Sequence, residues 1–185
     1  MNEENITNIC KKHDILLTKN KDTDVFTIQF KTTNNKFDIS TIMNFKIYNL
    51  IKELNSDLLD RLEIKKQYSE NECDVLFCFS KLGKELGISY KYMFIKSKIT
   101  REDKRITFYS NSIPYLDNDI GKKYSKITNE FSDLYIDILP NNEIQIHYVF
   151  KIDMNEPLPI YMENMIGLMM KKMFYRLKVF IENVD

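Results

Sequence analysis

The chain has 185 residues and a mass of 22.2 kDa, about the size of one domain, whose core removes roughly 70 % of the unfolded chain's surface from water. Its 43 % hydrophobic and 29 % charged residues, with only 4 Gly and 4 Pro, exclude a disordered chain or a fibre. The 27 Lys and Arg balance the 27 Asp and Glu, so there is no overall basic field and we expect no nucleic-acid partner.

Features that would place the chain in a membrane or a secretory compartment are missing from the sequence. No apolar run reaches the length of about 18 residues that a spanning helix needs. The start of the chain, MNEEN, is polar and acidic, unlike a secretory signal, and the odd number of cysteines, three, does not indicate a disulfide framework. We therefore expect one domain over residues 1–185, cytoplasmic and monomeric, with no metal or other cofactor.

The first third of the chain mixes helical and strand patterns. The first dozen residues predict a weak short helix, and Ile15–Leu17 and Val25–Lys31 predict two strands joined by a turn. Asp38 and Ser40 are typical N-cap residues, and they precede apolar residues with a helical period that continues to Leu54. A second short helical turn is predicted at Leu58, Leu59 and Leu62, leading into a strand that ends near Tyr68.

The middle of the chain alternates apolar and polar residues, as strands of an antiparallel sheet do. Apolar residues at every second position mark successive strands around Val75–Phe79, Ile88–Ile99, Ile106–Phe108, Leu134–Ile138 and Ile144–Ile152. The last two strands meet at Pro140-Asn141-Asn142, a turn signal typical of a hairpin.

The C-terminal segment changes to a helical period. A helix is predicted over about residues 158–183, with Pro159 in its first turn. Its apolar stripe of about five turns consists of Met162, Ile166, Met169, Met173, Leu177 and Phe180.

This order of elements resembles the helix-grip fold of the StAR-related lipid-transfer (START) domains and the wider START-like superfamily. The stretches that carry the resemblance are Leu58–Tyr68 followed by Asp74–Phe77, Gly87–Ile95, Ile106–Ile113, Tyr135–Pro140, Gln145–Asp153, Leu158-Pro159 and Asn164. The resemblance implies an α+β fold in which a curved antiparallel sheet wraps around a long C-terminal helix, with two short helices after the N-terminal strands.

A helix-grip fold with side chains that do not fill its interior contains an apolar tunnel, so the implied function is binding or transfer of a phospholipid, a sterol or a fatty-acid-like lipid. The predicted lining residues face the helix from the sheet or lie on the helical stripe. They are Phe77, Phe79, Phe108, Ile136, Ile146, Tyr148, Phe150, Met162, Ile166, Met169 and Met173. The methionines would form a flexible wall. The alternative is that the stripe is ordinary filled core.

Polar candidates lie at two places. Tyr90, Lys91 and Tyr92 combine aromatic rings with a cation and are candidates for contact with a lipid head group, whereas the alternative for Lys91 and Lys96 is a solvated outer position. The polar segment 114–121 is either a mobile lid at the tunnel mouth or a surface loop.

The sequence gives little support for an enzyme. His147 alternates with Ile146 and Tyr148 and is predicted to point away from the tunnel. The enzymatic alternative is the carboxylate mechanism of some START-like hydrolases and cyclases, but Asp74 has the wrong parity for an inward carboxylate. Two functions of different class remain. One is a lipid carrier with transient contact to a membrane surface, and the other is a ligand-free scaffold that binds proteins.

Overall fold

The fold is built on one long antiparallel sheet. The structure is a computed structural model that describes residues 5–36, 38–79, 90–117, 119–158, 162 and 164–184. Within these residues the sheet has ten strands. They are β1 (Ile6–Lys12), β2 (Ile15–Asn20), β3 (Phe26–Thr33), β4 (Leu59–Ser69), β5 (Glu72–Phe79), β6 (Tyr90–Glu102), β7 (Arg105–Ser112), β8 (Tyr124–Lys126), β9 (Thr128–Leu139) and β10 (Glu143–Asp153).

The strand order gives the sheet its shape. The order is β1-β2-β3-β10-β9-β7-β6-β5-β4, and the short β8 pairs with β6 in parallel. The pairing of β3 with β10 joins the N-terminal hairpin to the end of the sheet's meander. Three register shifts between β4 and β5 and one between β9 and β10 locally increase the twist and bend the sheet. One face is therefore concave, and its alternate residues are apolar.

Two α-helices in the described part of the chain lie against the sheet. They are α1 (Ile47–Leu54) and α2 (Met165–Asn183), and a short 3-10 helix spans Ile39–Ile42. α2 packs on the concave face through Ile166, Met173, Phe174, Leu177 and Ile181, all of them buried. This is the predicted helix-grip architecture, and the fold class is confirmed. In the described part of the chain, no helix is long and apolar enough to cross a membrane.

The predicted N-terminal helix is wrong. Residues Ile6–Lys12 form the edge strand β1, which pairs with β2 across a tight turn. The turn residues His13 and Asp14 both have φ of 58°, the left-handed conformation that a two-residue hairpin of this kind requires. His and Asp tolerate this conformation better than most residues, so His-Asp was the local signal that favoured a hairpin.

The predicted helix after Asp38 is interrupted. The Asp38 carboxylate accepts a hydrogen bond of 2.9 Å from the Ser40 amide, but it caps only the short 3-10 helix. Asn44 then accepts a bond of 2.9 Å from the Lys46 amide through its side chain. Such a local bond competes with helical hydrogen bonds, and α1 begins only at Ile47.

Two further boundaries differ from the sequence prediction. The second helical turn predicted at Leu58, Leu59 and Leu62 is absent, since β4 begins at Leu59 directly after a turn. α2 begins at Met165 rather than near residue 158, and Pro159 lies outside the described residues. The hairpin at Asn141 and Asn142 is confirmed, with φ of 62° and 53°.

Gly167 is predicted to be essential for the close approach of α2 to the sheet. A Cβ at this position would lie 2.6 and 2.7 Å from two ring carbons of Phe26, which stacks on Phe150 at 5.3 Å and has little room to move. Gly167→Ala gains about 1 kcal/mol of helix propensity, but overpacking typically costs about 1–3 kcal/mol. We expect a net decrease in the free energy of unfolding, measured by urea denaturation.

The control for this prediction is Leu168→Ala at the next, exposed position of α2. It should change the free energy of unfolding by less than about 0.5 kcal/mol, the usual range for surface substitutions. A Gly167→Ala protein as stable as the parent would show that α2 does not pack this closely on Phe26.

Candidate functional site

The candidate site is a cavity between α1, α2 and the concave face of β5, β6, β7, β9 and β10. Its volume is about 100 Å³, and it is partly enclosed. Of the sixteen described residues that line it, twelve are apolar and the other four carry a hydroxyl group. The lining residues are Ile47, Tyr48, Ile51, Phe77, Phe79, Met93, Ile95, Phe108, Ser110, Ser132, Leu134, Tyr148, Met170, Met173, Phe174 and Leu177.

Part of the predicted lining lies at this cavity. Five of the predicted residues contact it: Phe77, Phe79, Phe108, Tyr148 and Met173. Five others are buried in the filled core and do not line it: Ile136, Ile146, Phe150, Met162 and Ile166. Met169 is only partly buried, and the next residue, Met170, lines the cavity instead. The interior is therefore filled near β3 and β10 and partly empty near α1.

Three of the four hydroxyl-bearing residues of the described wall, Tyr48, Ser110 and Ser132, were not among the predicted lining residues. Ser97, Ser110 and Ser132 lie directly opposite one another on β6, β7 and β9. We call these three residues the serine row. Ser110 has the same parity as Phe108, and Ser132 has the same parity as Leu134, so strand alternation already placed both on the concave face. An apolar alternation pattern does not identify them, because serine is a small polar residue.

The serine row belongs to a buried hydrogen-bond network. Tyr48 on α1 donates a bond of 2.8 Å to Ser97, and Ser110 donates a bond of 3.2 Å to the same hydroxyl oxygen. The side-chain amide of Asn129 donates to Ser132 Oγ at 3.0 Å and to the backbone carbonyl of Ser110 at 3.1 Å. These bonds tie α1 and three strands together behind the cavity.

The two tyrosine hydroxyls at the cavity are protonated under physiological conditions. Burial raises the pKa of Tyr148 to about 12. Burial raises the pKa of Tyr48 further still, and its hydrogen bond with Ser97 offsets only part of that shift. Both phenols are therefore neutral hydrogen-bonding groups, and the cavity wall carries no charge from them.

The three head-group candidates do not share one surface. Tyr90 and Tyr92 lie on the convex face, where Tyr90 packs against Tyr124 and Tyr92 against Tyr115. Lys91 points to the concave side and is 1 % exposed, which corrects the alternative of a solvated outer position. Its Nζ lies 2.7 Å from Glu156 Oε1 and donates a bond of 2.8 Å to Ser125. Because Glu156 is its ion-pair partner, the buried charge of Lys91 is compensated.

The polar segment after β7 lies on the convex face of the sheet, on the side away from the cavity. A small second core lies on this face. Its buried residues are Leu76, Cys78 and Phe94, and the residues packed against them are Tyr92, Ile113, Tyr115, Ile120 and Tyr124. Asp119 connects the segment to β4, because its Oδ2 forms ion pairs with Arg61 Nη2 at 2.8 Å and Lys65 Nζ at 2.9 Å. Hydrogen bonds from Tyr115 and these two cations hold the pKa of the Asp119 carboxyl well below its usual range. This placement agrees with the surface-loop alternative.

The side chains considered for catalysis lie away from the cavity. His147 lies beside Tyr135 on the convex face, with ring centroids 5.9 Å apart, and burial lowers its pKa. Asp74 accepts a hydrogen bond of 2.7 Å from Tyr68 on the same face. Among the described lining residues there is no Asp, Glu, His, Lys, Arg or Cys, and the ionisable groups of the wall are the phenols of Tyr48 and Tyr148.

Comparisons with known proteins identify the fold. The human StarD13 (DLC2) lipid transfer and protein localization domain matches with a TM-score of 0.78 and 9 % identity, covering 97 % of this chain and 90 % of that one. Human StAR-related lipid transfer protein 5 matches with a TM-score of 0.77 and 10 % identity, covering 97 % and 88 %. A STAR-related lipid transfer protein from Xanthomonas axonopodis gives 0.74 and 11 %, covering 96 % and 98 %. The chain therefore has the helix-grip fold of START domains.

Sequence comparison adds no closer assignment. No family model matches the chain, and no curated protein sequence matches it significantly. The fold is thus carried by a sequence that shares only about one residue in ten with its structural neighbours.

The cysteines test whether both faces of β5 are buried. Cys73 is buried in the main core and Cys78 in the second core, and burial raises their pKa values to about 12 and about 11. Because the thiolate is the reactive form, the raised pKa and the lack of access both suppress modification. At pH 8 we expect Ellman's reagent to modify only the half-buried Cys10 rapidly in the folded protein.

A Cys10→Ser variant serves as the control, since it should be almost unreactive until denaturant is added and should then show two reactive thiols. Rapid modification of a second thiol in the folded protein would mean that one face of β5 is open.

Proposed function

We propose that this protein binds one lipid or similar hydrophobic molecule in the cavity under α2 and carries it without chemical conversion. The observation that carries the proposal is the cavity itself, because it is apolar on most of its surface and lies between the gripping sheet and its helix. Pockets of this composition bind ligands mainly through burial of apolar surface, with a few polar groups fixing orientation. The similar solved structures are named as lipid transfer proteins, which agrees with this proposal.

The cavity has to expand to hold a lipid. Its volume of about 100 Å³ is below the roughly 150 Å³ that accommodates a benzene-sized molecule. Met170 and Met173 form much of the helical wall, and methionine side chains can repack around an irregular guest. Side-chain repacking alone provides limited room, so we infer that α2 also moves.

The two halves of α2 are attached differently. The first six residues, 165–170, have the sequence MIGLMM and pack through apolar contacts. From Lys171 onward the helix also makes directed hydrogen bonds. Lys171 donates to the Lys12 carbonyl at 3.1 Å, Arg176 donates to Asp57 at 2.9 Å and to the Leu54 carbonyl at 3.2 Å, and Asn34 donates to the Ile181 carbonyl at 2.7 Å. Apolar contacts have no required direction, whereas hydrogen bonds do. The first six residues of α2, 165–170, are therefore the part that moves outward to admit a ligand.

Loading and release would then take place at a membrane surface. A displaced N-terminal half of α2 exposes Met165, Ile166 and Met170, and apolar side chains of this kind are stabilised at the boundary between water and lipid. The contact is transient because closure of α2 buries the same side chains again.

A ligand-free scaffold is the second candidate, and the small cavity volume favours it. A protein that never binds a lipid needs no expansion, and a cavity of about 100 Å³ is compatible with ordinary imperfect packing. The two functions differ in what happens when the cavity is filled. Filling it abolishes the activity of a carrier and leaves that of a scaffold unchanged.

Adjacent methionines of α2 provide this test. Met170 lines the cavity, whereas Met169 does not. We expect Met170→Trp to lose most uptake of fluorescent lipid from donor vesicles, because the larger side chain occupies the cavity. The cost in stability should stay at or below the roughly 1–3 kcal/mol typical of an overpacked core, because the added ring has a void to enter. Met169→Trp should retain uptake.

Thermal unfolding of both variants shows whether a loss of uptake comes from a filled cavity or from a misfolded protein. The carrier proposal is contradicted if the parent takes up no lipid from phosphatidylcholine vesicles that contain labelled phosphatidylcholine, sterol or fatty acid. It is also contradicted if both tryptophan variants take up as much as the parent.

A further inference from the structure

A carboxylate among aromatic side chains lies on the convex face of the sheet, on the side away from the cavity. Asp133 on β9 is directly opposite Tyr109 on β7 and Val149 on β10. Phe131 and Tyr135 are the next residues of β9 on the same face. The neighbours of Asp133 on this face are therefore three aromatic side chains and a valine, a setting in which a charged group is disfavoured unless it is paired.

Within the described residues this carboxylate has no counter-ion. The hydrogen bond that it accepts there comes from the Tyr135 hydroxyl and is long, at 3.4 Å. Burial raises the pKa of Asp133, and the bond from Tyr135 offsets only part of that shift. The carboxylate form is thus less favourable than it would be in water, and a cation that reached it would stabilise it.

Three cations on the convex face border this position on neighbouring strands, and each of them is already paired with another carboxylate. The pairs are Arg105 with Asp137 at 2.6 Å, Lys151 with Glu130 at 2.9 Å and Lys98 with Glu72 at 3.8 Å. The face therefore has an unpaired charge among aromatic side chains and ion pairs around it. Protein interfaces have a similar arrangement, with a few central anchor positions and a polar rim.

The aromatic side chains favour a guanidinium group as the missing cation. The rings of Tyr109 and Tyr135 meet edge to face, with centroids 6.5 Å apart and planes at 89°. A guanidinium group can stack on such rings and pair with a carboxylate through two hydrogen bonds at the same time. The Tyr135 ring already has the guanidinium carbon of Arg105 at 5.7 Å, so its surroundings are compatible with this group.

The position is open to a partner. Tyr109 is 41 % exposed, and Asp133, Tyr135 and Val149 are only partly buried. The described segment that covers part of the convex face packs on the second core, whose strand residues belong to β5 and β6. The neighbouring surface of β7, β9 and β10 is therefore available for docking.

We propose that the convex face of β7, β9 and β10 is a docking surface for a partner protein that places an arginine side chain on Asp133, beside Tyr109 and Tyr135. A protein fits this face better than a membrane does, because the phosphate groups of a lipid surface attract cations and repel an unpaired carboxylate. The inference is independent of the carrier proposal, since the cavity lies on the other face of the sheet.

The first test measures whether Asp133 serves the fold, and it needs no partner. Because the pKa of Asp133 is raised in the folded state, its ionised form destabilises the fold at neutral pH. We expect Asp133→Asn to melt at or above the temperature of the parent. The matched control is Asp137→Asn on the same face of β9, which should give no increase because Arg105 loses its ion-pair partner. A clear decrease for Asp133→Asn would mean that the carboxylate is structural, and it would overturn the inference.

The second test uses peptides selected from a random display library on the immobilised full chain. We expect the selected peptides to contain an arginine flanked by apolar residues. Replacing that arginine with citrulline, which has nearly the same shape and no charge, should weaken binding at least about tenfold, as expected for loss of a charged hydrogen bond. Asp133→Asn should weaken binding of the arginine peptide by a similar factor and remove its advantage over citrulline, whereas Asp137→Asn should leave binding within about twofold of the parent, the change expected for an exposed ion pair.

Every other outcome overturns the inference. Failure to select any peptide does so, as does equal binding of the arginine and citrulline forms or equal binding to the parent and Asp133→Asn. If the parent binds vesicles of phosphatidylcholine and phosphatidylserine and Asp133→Asn changes that binding, the face is a membrane contact and not a protein docking surface. Lipid uptake by the Asp133→Asn protein should equal that of the parent, because Asp133 does not line the cavity. The carrier function is therefore tested separately.

Discussion

The structure depends on one constraint: a single long helix has to cover the apolar concave face of a strongly curved sheet. α2 meets this requirement by lying close over β2 and β3, where Gly167 lets the helix backbone approach the ring of Phe26. Phe174 continues the contact towards the middle of the sheet, where its ring packs against Phe30 and Tyr148 at 5.9 and 4.9 Å. Burial of this stripe stabilises the fold, because apolar burial is the dominant favourable contribution to folding.

The cavity follows from the same constraint. A straight helix contacts a curved sheet closely along part of its length, and the remaining space has to be filled by side chains. Phe26 and Phe150 fill it near β3 and β10, whereas the serine row lies at the corresponding positions of β6, β7 and β9. Small polar side chains in place of large apolar ones reduce stability but leave space and provide hydrogen-bonding groups. A sequence selected only for a filled core would place larger apolar residues there.

The apolar periodicities of the sequence predicted the long strands and α2 well, whereas the N-terminal turn was not predicted. Alternation located most of the middle strands, and the stripe from Ile166 to Phe180 located α2, because burial on one face determines both patterns. The N-terminal hairpin was missed because it depends on the backbone conformation of His13 and Asp14. At the site, parity predicted which residues face inward, but it could not show that Phe150 is packed while Phe108 borders a void. That difference depends on the curvature of the sheet and on the position of Gly167.

The central claim is that the space under α2 accepts one hydrophobic guest molecule. Native mass spectrometry of the intact chain, after incubation with mixed phospholipids, sterols and long-chain alcohols, tests it directly. The account predicts a single adduct of 1:1 stoichiometry whose mass identifies one lipid, with no second adduct at higher lipid concentration. Absence of any adduct on a folded chain, or a ladder of several adducts typical of non-specific surface binding, would contradict it.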